Sequence, residues 1–422
     1  MTTERIELQS GVWLNLVQTD RFKTGCFSFN LMRPLQQDAA ANALIPSVLL
    51  RGCQNYPDMR AISQHLDTLY GAGTGTLIRK KGEVQSVGMY ADFLEDRYAD
   101  SEPVFHQMME FLHNLIFSPS VEENGFVADY VASEKQNLIN TIDSRINEKR
   151  SYAVSRLLKH MCAGEAYAMP RLGEKTALET ADSQTLYSQW NRMLSTSRVE
   201  LFYLGQQSRD TVLKNMEQLT AMLPKRDVLE NVQTQIVLPK RDVQFVEEAL
   251  DVTQGKLTMG LRTPITVQDP RYPAMMLLNT VFGAGMTSKL FLKIREEQSL
   301  CYYANSSMDK FKGIMVIGSG IEFEKYEVAR DGILEQLDLC KQGQISKEEL
   351  EQSRNYLLSA LRTGNDSPGR LDDFAVGQSI AGLSYSMEDL GEQLRAVTLD
   401  QVVEAANTLT LDTVYFLKGV EA

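Results

Sequence analysis

Alternating apolar and polar positions over 11–18 and 25–35 predict two β-strands, with turn-forming residues between them. The spacing then changes. Residues 38–50 are rich in alanine and leucine and predict a helix, with Pro46 a flaw inside it. A second helix over 59–70 places Ile62, His65, Leu66 and Leu69 on one face. Alternation returns over 82–93, and helical spacing follows over 101–117, 124–145 and 148–161.

The chain also repeats itself. AGEAYAMPRLGE at 163–174 and AGLSYSMEDLGE at 381–392 are identical at seven of twelve positions, and Thr180 and Asp182 keep step with Thr398 and Asp400. Gly25 and Pro34 bracket one strand as Gly255 and Pro264 bracket another, with Leu31 matching Leu261. Gly82 and Gly313 each open a further strand. These matches share their order and nearly their offset, so the chain is a duplicated domain; the period is far too long for a solenoid. A length of 422 residues also exceeds what one hydrophobic core serves.

LPKRDV occurs twice, at 223–228 and 238–243, and its proline and charges suit an exposed connection. The expected organisation is an N-terminal domain over 1–222, a linker over 223–243 and a C-terminal domain over 244–422. Each half is expected to be an α+β layer, an antiparallel sheet with helices packed on one face.

Charge narrows the partners. A formal net charge of −12 argues against nucleic acid or an anionic membrane, both of which need a basic face, and it permits cationic peptides. No stretch reaches the ~18 continuous apolar residues of a membrane span. The N-terminus has no signal-peptide pattern. The five cysteines are scattered, with no CxxC pair, which fits reduced thiols and a cytoplasmic location. The four histidines, His65, His106, His113 and His160, lack ligand spacing and are expected on helix surfaces or in the core.

One stretch carries candidate chemistry: FGAGMTSKLFLKIREEQSLCYY, at 282–303. A glycine-rich run leads to Thr287 and Ser288, suited to capping a helix, and an apolar-periodic run then ends at Arg295 and Glu296. Tyr302 follows seven residues after Arg295. This arrangement of SKLF, then R-E, then L-x-Y closely resembles the second half of the M16 (insulinase/pitrilysin) zinc peptidases. The resemblance implies that Arg295 and Tyr302 hold a substrate backbone across from a zinc ion. Where Ser299 stands, the family usually has glycine.

In a catalytic member of that family, the first half carries H-x-x-E-H on a helix and a further glutamate on a later one. Together they supply three zinc ligands and a general base. Here LLRGC (49–53) aligns with the end of the motif, so Ala43 and Ser47 stand for the two histidines and Pro46 for the base. Glu134 matches an acid of the later helix, and Thr141 stands where the third ligand belongs. Neither H-x-x-E-H nor H-E-x-x-H occurs in the chain.

The resemblance therefore implies a non-catalytic, substrate-binding subunit of a two-chain, heterodimeric peptidase acting on peptides. This chain would hold no cofactor, and zinc would sit in an H-x-x-E-H homologue whose site Arg295 and Tyr302 complete. The alternative is a catalytically inert, homodimeric peptide-binding or scaffold protein, with Arg295–Glu296 a mere ion pair at a helix end.

Overall fold

The computed structural model describes residues 3–100, 102–228, 233–239 and 242–420. Ser101, expected to open a helix, and residues 229–232 and 240–241 of the expected linker lie outside the described residues.

The chain begins with β1 (Glu4–Gln9), β2 (Val12–Gln18) and β3 (Thr24–Pro34), then α1 (Ala39–Leu49) and α2 (Met59–Thr68). The hairpin β4 (Gly73–Lys81) and β5 (Val84–Leu94) leads to α3 (Val104–Phe117) and a short ribbon, β6 (Val121–Glu122) and β7 (Gly125–Phe126). Next come α4 (Ala128–Asp143), α5 (Lys149–Met161), α6 (Ser183–Thr196), β8 (Arg198–Gly205) and α7 (Arg209–Thr220). The second half has β9 (Gln244–Leu250), β10 (Gly255–Arg262), α8 (Tyr272–Asn279), β11 (Cys301–Asp309) and β12 (Ile314–Ile321). It ends with α9 (Tyr326–Lys341), α10 (Lys347–Gly364), α11 (Pro368–Ala381), α12 (Met387–Ala396), α13 (Leu399–Asn407) and β13 (Thr410–Gly419).

Two sheets result, and they share one plan. The first has the order β1-β2-β8-β3-β5-β4 and the second β9-β13-β10-β12-β11, so the second repeats the first without its outermost strand. Each sheet is antiparallel apart from one parallel pair, β2 with β8 and β9 with β13. A parallel pair is needed because β8 and β13 return from helices to lie beside the first long strand of their own sheet.

The compact units are not continuous in sequence. One comprises 1–143, 169–233 and 367–386; the other comprises 144–168, 234–366 and 387–422. The halves expected at 1–222 and 244–422 differ from these units in two segments, one holding α5 and one holding α11, each counted with the opposite sheet.

Within unit 1, the period of two along β3 sends its side chains to opposite faces. Phe27, Phe29 and Leu31 enter the main core with Leu44, Phe105 and Trp190. Ser28 and Met32 point the other way and meet α11, through Asp372 and Val376. The expected helices thus cover one face, and a single further helix covers the second. That second contact is largely polar: Asp372 is buried, accepts from Ser28 Oγ at 2.8 Å and pairs with Arg79, while Lys81 reaches Asp373 at 2.8 Å.

Unit 2 repeats the device with α5. Leu157 and Met161 pack with Ile314, Val316, Tyr415 and Leu417. At the C-terminal end of the helix, Arg262 and Lys312 are buried around Glu165, at 2.6 and 2.7 Å.

The expected linker is anchored at its described ends. Arg226 donates to the Leu194 carbonyl at 2.9 Å in unit 1, and the Gln235 carbonyl accepts from Lys312 at 2.6 Å in unit 2. Among the described residues no helix is long and apolar enough to cross a membrane.

Candidate functional site

Helix α1 runs through Pro46, whose missing N–H leaves the Asn42 carbonyl without its helical donor. Ala43 and Pro46 are buried and Ser47 is half-buried. Positions 43 and 47 are one turn apart, the spacing that two ligands would need. On α4, Thr141 is exposed and its hydroxyl donates to the Asn137 carbonyl at 2.9 Å. Arg51, one turn beyond Ser47, pairs with Glu134 at 3.1 Å and lies over the Tyr130 ring.

This donor set does not fit zinc. A methyl group and a proline ring offer no lone pair, and two neutral hydroxyls are poor substitutes for imidazole and carboxylate. Among the described residues, no group of three or more His, Cys, Asp or Glu is placed to hold a metal ion. Two of the four histidines are engaged elsewhere: His65 contacts the Tyr56 hydroxyl at 3.2 Å, and His106 contacts Asn215 at 2.9 Å.

The stretch from 280 to 303 departs from an ordinary helix. Thr280–Ala284 and Leu290–Glu297 are wound as π-helix, with Gly285 N–H donating to the Thr280 carbonyl and Gln298 N–H to the Lys293 carbonyl. Such winding concentrates at functional sites because it redirects side chains within a turn. Ser288 accepts from Phe291 N–H at 3.4 Å, the capping role expected of it. Met286, at the tip between the two windings, is 78% exposed.

Arg295 lies on the second π segment. Its guanidinium stacks over Phe291 at 4.7 Å and lies 3.6 Å from the exposed carboxylate of Glu296, a contact too long for a hydrogen bond. Leu300 N–H donates to the Ile294 carbonyl at 3.0 Å, which ties the residue before Arg295 to the start of the strand carrying Tyr302. Tyr302 itself sits on a β-bulge: Cys301 pairs with Ile321 and Tyr303 with Gly320, and Tyr302 has no opposite residue. The bulge turns its ring outward, to 59% exposure. Among the described residues its hydroxyl has no hydrogen-bond partner. A guanidinium and a phenol are each able to donate a hydrogen bond to a carbonyl oxygen.

Ser299 explains the glycine usual at this position. Its φ is +51°, in the left-handed region where a side chain costs roughly 1–2 kcal/mol and glycine nothing. Glycine loses more chain entropy on folding, so Ser299→Gly should raise stability by about 0.5–1 kcal/mol net. Urea unfolding of the variant beside the parent checks this.

The chain has relatives both in sequence and among solved structures. The family model described as "Peptidase M16 inactive domain" matches residues 180–357. The probable inactive metalloprotease YmfF of Bacillus subtilis is 32% identical over 420 residues, covering 97% of this chain and 96% of its own. A conserved protein from Enterococcus faecalis V583 superposes with a TM-score of 0.92 at 26% identity, over 100% of this chain and 99% of that one. A peptidase M16 inactive domain from Pseudomonas fluorescens has the same fold, at a TM-score of 0.81 and 17% identity over 100% and 99% of the two chains. With the duplicated sheets, the ligand-free α1 and α4 positions and the Arg295–Tyr302 stretch, these likenesses show that the chain belongs to the M16 peptidase family, in a form that lacks the H-x-x-E-H motif.

Proposed function

We propose that this chain is the non-catalytic, substrate-binding subunit of a two-chain M16-type zinc metallopeptidase that acts on peptides. The observation that carries this reading is the pairing of two conditions in one chain. The positions of the zinc ligands and base hold Ala43, Pro46, Ser47 and Thr141, while the half-buried Arg295, its side chain 40% exposed, and the exposed Tyr302 keep donors to spare. The inactive state named for the Bacillus relative fits the first condition. A scaffold alone would have no use for the second.

In this reading zinc and its activated water belong to an H-x-x-E-H homologue. Arg295 and Tyr302 bind the carbonyl of the bond to be cut and favour the oxyanion that forms on it. A helix-borne arginine backed by Phe291 is held in place before the peptide arrives, which lowers the cost of ordering it.

Mixing the purified chain with an H-x-x-E-H homologue from the same native extract tests this. The expected result is a roughly equimolar complex that cleaves a quenched fluorescent peptide, with zinc required and neither chain active alone. A homologue fully active by itself, beside a chain recovered only as its own homodimer, overturns the proposal and favours the inert peptide-binding protein.

A further inference from the structure

Unit 1 holds a pocket of about 530 Å³ that the reading above does not use. It lies where three strands end together. β2 and β8 are parallel, and β5 runs in their direction because each is antiparallel to β3 or paired with a strand that is. The residues after their carboxyl ends, 18–20, 95–97 and 205–207, form the walls. Ligand pockets of small molecules have this size and often this placement.

At its base is Glu95, only 1% exposed. Its carboxylate accepts from Gln206 N–H at 2.9 Å and Gln207 Nε2 at 3.4 Å. The chain is shaped around it: a Cβ at Gly205 would overlap both Glu95 Oε1 and the Tyr203 hydroxyl. Burial, with the nearby Asp96 charge, raises the Glu95 carboxyl above its ordinary value, and hydrogen bonds from Gln206, Gln207 and the Tyr203 hydroxyl only partly offset that. Among the described residues no cation lies within ion-pair distance of it. A buried carboxylate without a cation is costly to keep. Gln206, also in the lining, has a buried Oε1 with no donor among the described residues, and the lining residue Asp20 is exposed. Arg97, also in the wall, donates to the Tyr98 hydroxyl at 2.6 Å and makes no ion pair with Glu95.

We propose that this pocket binds an organic cation of the primary ammonium or guanidinium class, its charge set against Glu95 and its N–H groups against Gln206 Oε1 and Asp20. One buried negative charge and two further acceptors ask for a ligand that brings both charge and several donors. A bare metal ion is not the expected occupant, because among the described residues no group of three or more His, Cys, Asp or Glu is placed to hold one. The cationic group comes either from a free amine or from an arginine or lysine side chain of a peptide, and the two sources call for separate probes.

Calorimetric titration of the full chain with agmatine, with N-acetyl-arginine amide and with its neutral isostere N-acetyl-citrulline amide separates these cases. Saturable binding of agmatine alone assigns the site to free amines, and binding of the arginine amide as well assigns it to side chains. In both cases the citrulline probe should not bind, and Glu95→Gln should weaken binding at least about tenfold. Asp20→Asn, a surface change that leaves the fold untouched, should weaken it about threefold. Because the neutral probe tests charge from the ligand side, the proposal stays testable even if Glu95→Gln fails to fold. No binding by either cation, or equal binding of the citrulline probe, overturns it.

Discussion

Replacing Glu165 with glutamine should lower the stability of unit 2 by roughly 3–5 kcal/mol, the cost of removing one member of a buried ionic group. Glu165 Oε1 accepts from Arg262 Nη2 at 2.6 Å, and its Oε2 lies 2.7 Å from Lys312 Nζ. Arg262 and Lys312 are 2% and 1% exposed, so neither can turn to water when the shared carboxylate is neutralised. Asp412, at 2.7 Å from Arg262, can balance only part of that charge. Urea unfolding followed by far-ultraviolet circular dichroism, which reports on both units, reads the loss. A change below about 1 kcal/mol, the usual size for a surface ion pair, would mean that the group is solvated.

Acid should act in the same direction. The Glu165 carboxyl lies below its ordinary value of 4.5: burial alone would raise it, but the hydrogen bonds and charges of Arg262 and Lys312 together outweigh burial. A lowered folded-state value means that the contribution is complete above 4.5 and disappears as pH falls through the folded value. The parent should therefore lose stability with acid more steeply than Glu165→Gln below that pH. Parallel curves in that window would sink the assignment.

Glu165 also marks how far the sequence could be read. The repeat that contains it predicted a duplicated fold correctly, because Gly164 and Gly382 serve the same purpose. Both take a left-handed φ, +86° in the turn after α5 and +67° at the cap of α11. Glu165 itself matches Leu383, so the repeat gave no hint of the charge network built on it. Nor could the repeat show that α5 and α11 lie on opposite sheets. Self-similarity says which segments correspond, and apolar spacing says which face of a helix is buried, but neither names the sheet that buries it.

The candidate site follows the same division. The unsuitability of Ala43, Pro46, Ser47 and Thr141 for zinc was legible because metal ligation depends on residue type. The π winding around Arg295 was not, since an added residue in a turn leaves the apolar spacing almost unchanged over so short a run. The bulge at Tyr302 was hidden for a related reason: a strand with one unpaired residue still reads as a strand. Glu95 carried no signal at all, because its role depends on three loops brought together from residues 18–20, 95–97 and 205–207.

In the reconstituted complex, Arg295→Ala and Tyr302→Phe should each lower kcat by about 10²–10³-fold, the usual loss when one donor to a developing oxyanion is removed. The two substitutions isolate donation from packing. Tyr302→Phe keeps the ring on the bulge and deletes only the hydroxyl, which has no partner among the described residues. Arg295→Lys keeps a charge but loses the planar fork, so its activity should fall between parent and alanine. Arg295 is exposed on one side and only 3.6 Å from Glu296 on the other, so its loss should leave folding and subunit assembly unchanged. Gel filtration checks assembly and thermal melting checks the fold. A drop in kcat with KM nearly constant would place the donors in the transition state; a rise in KM alone would place them in ground-state peptide binding. Full activity in both Arg295→Ala and Tyr302→Phe would leave the arginine and tyrosine without a part in hydrolysis, whatever complex the chain forms.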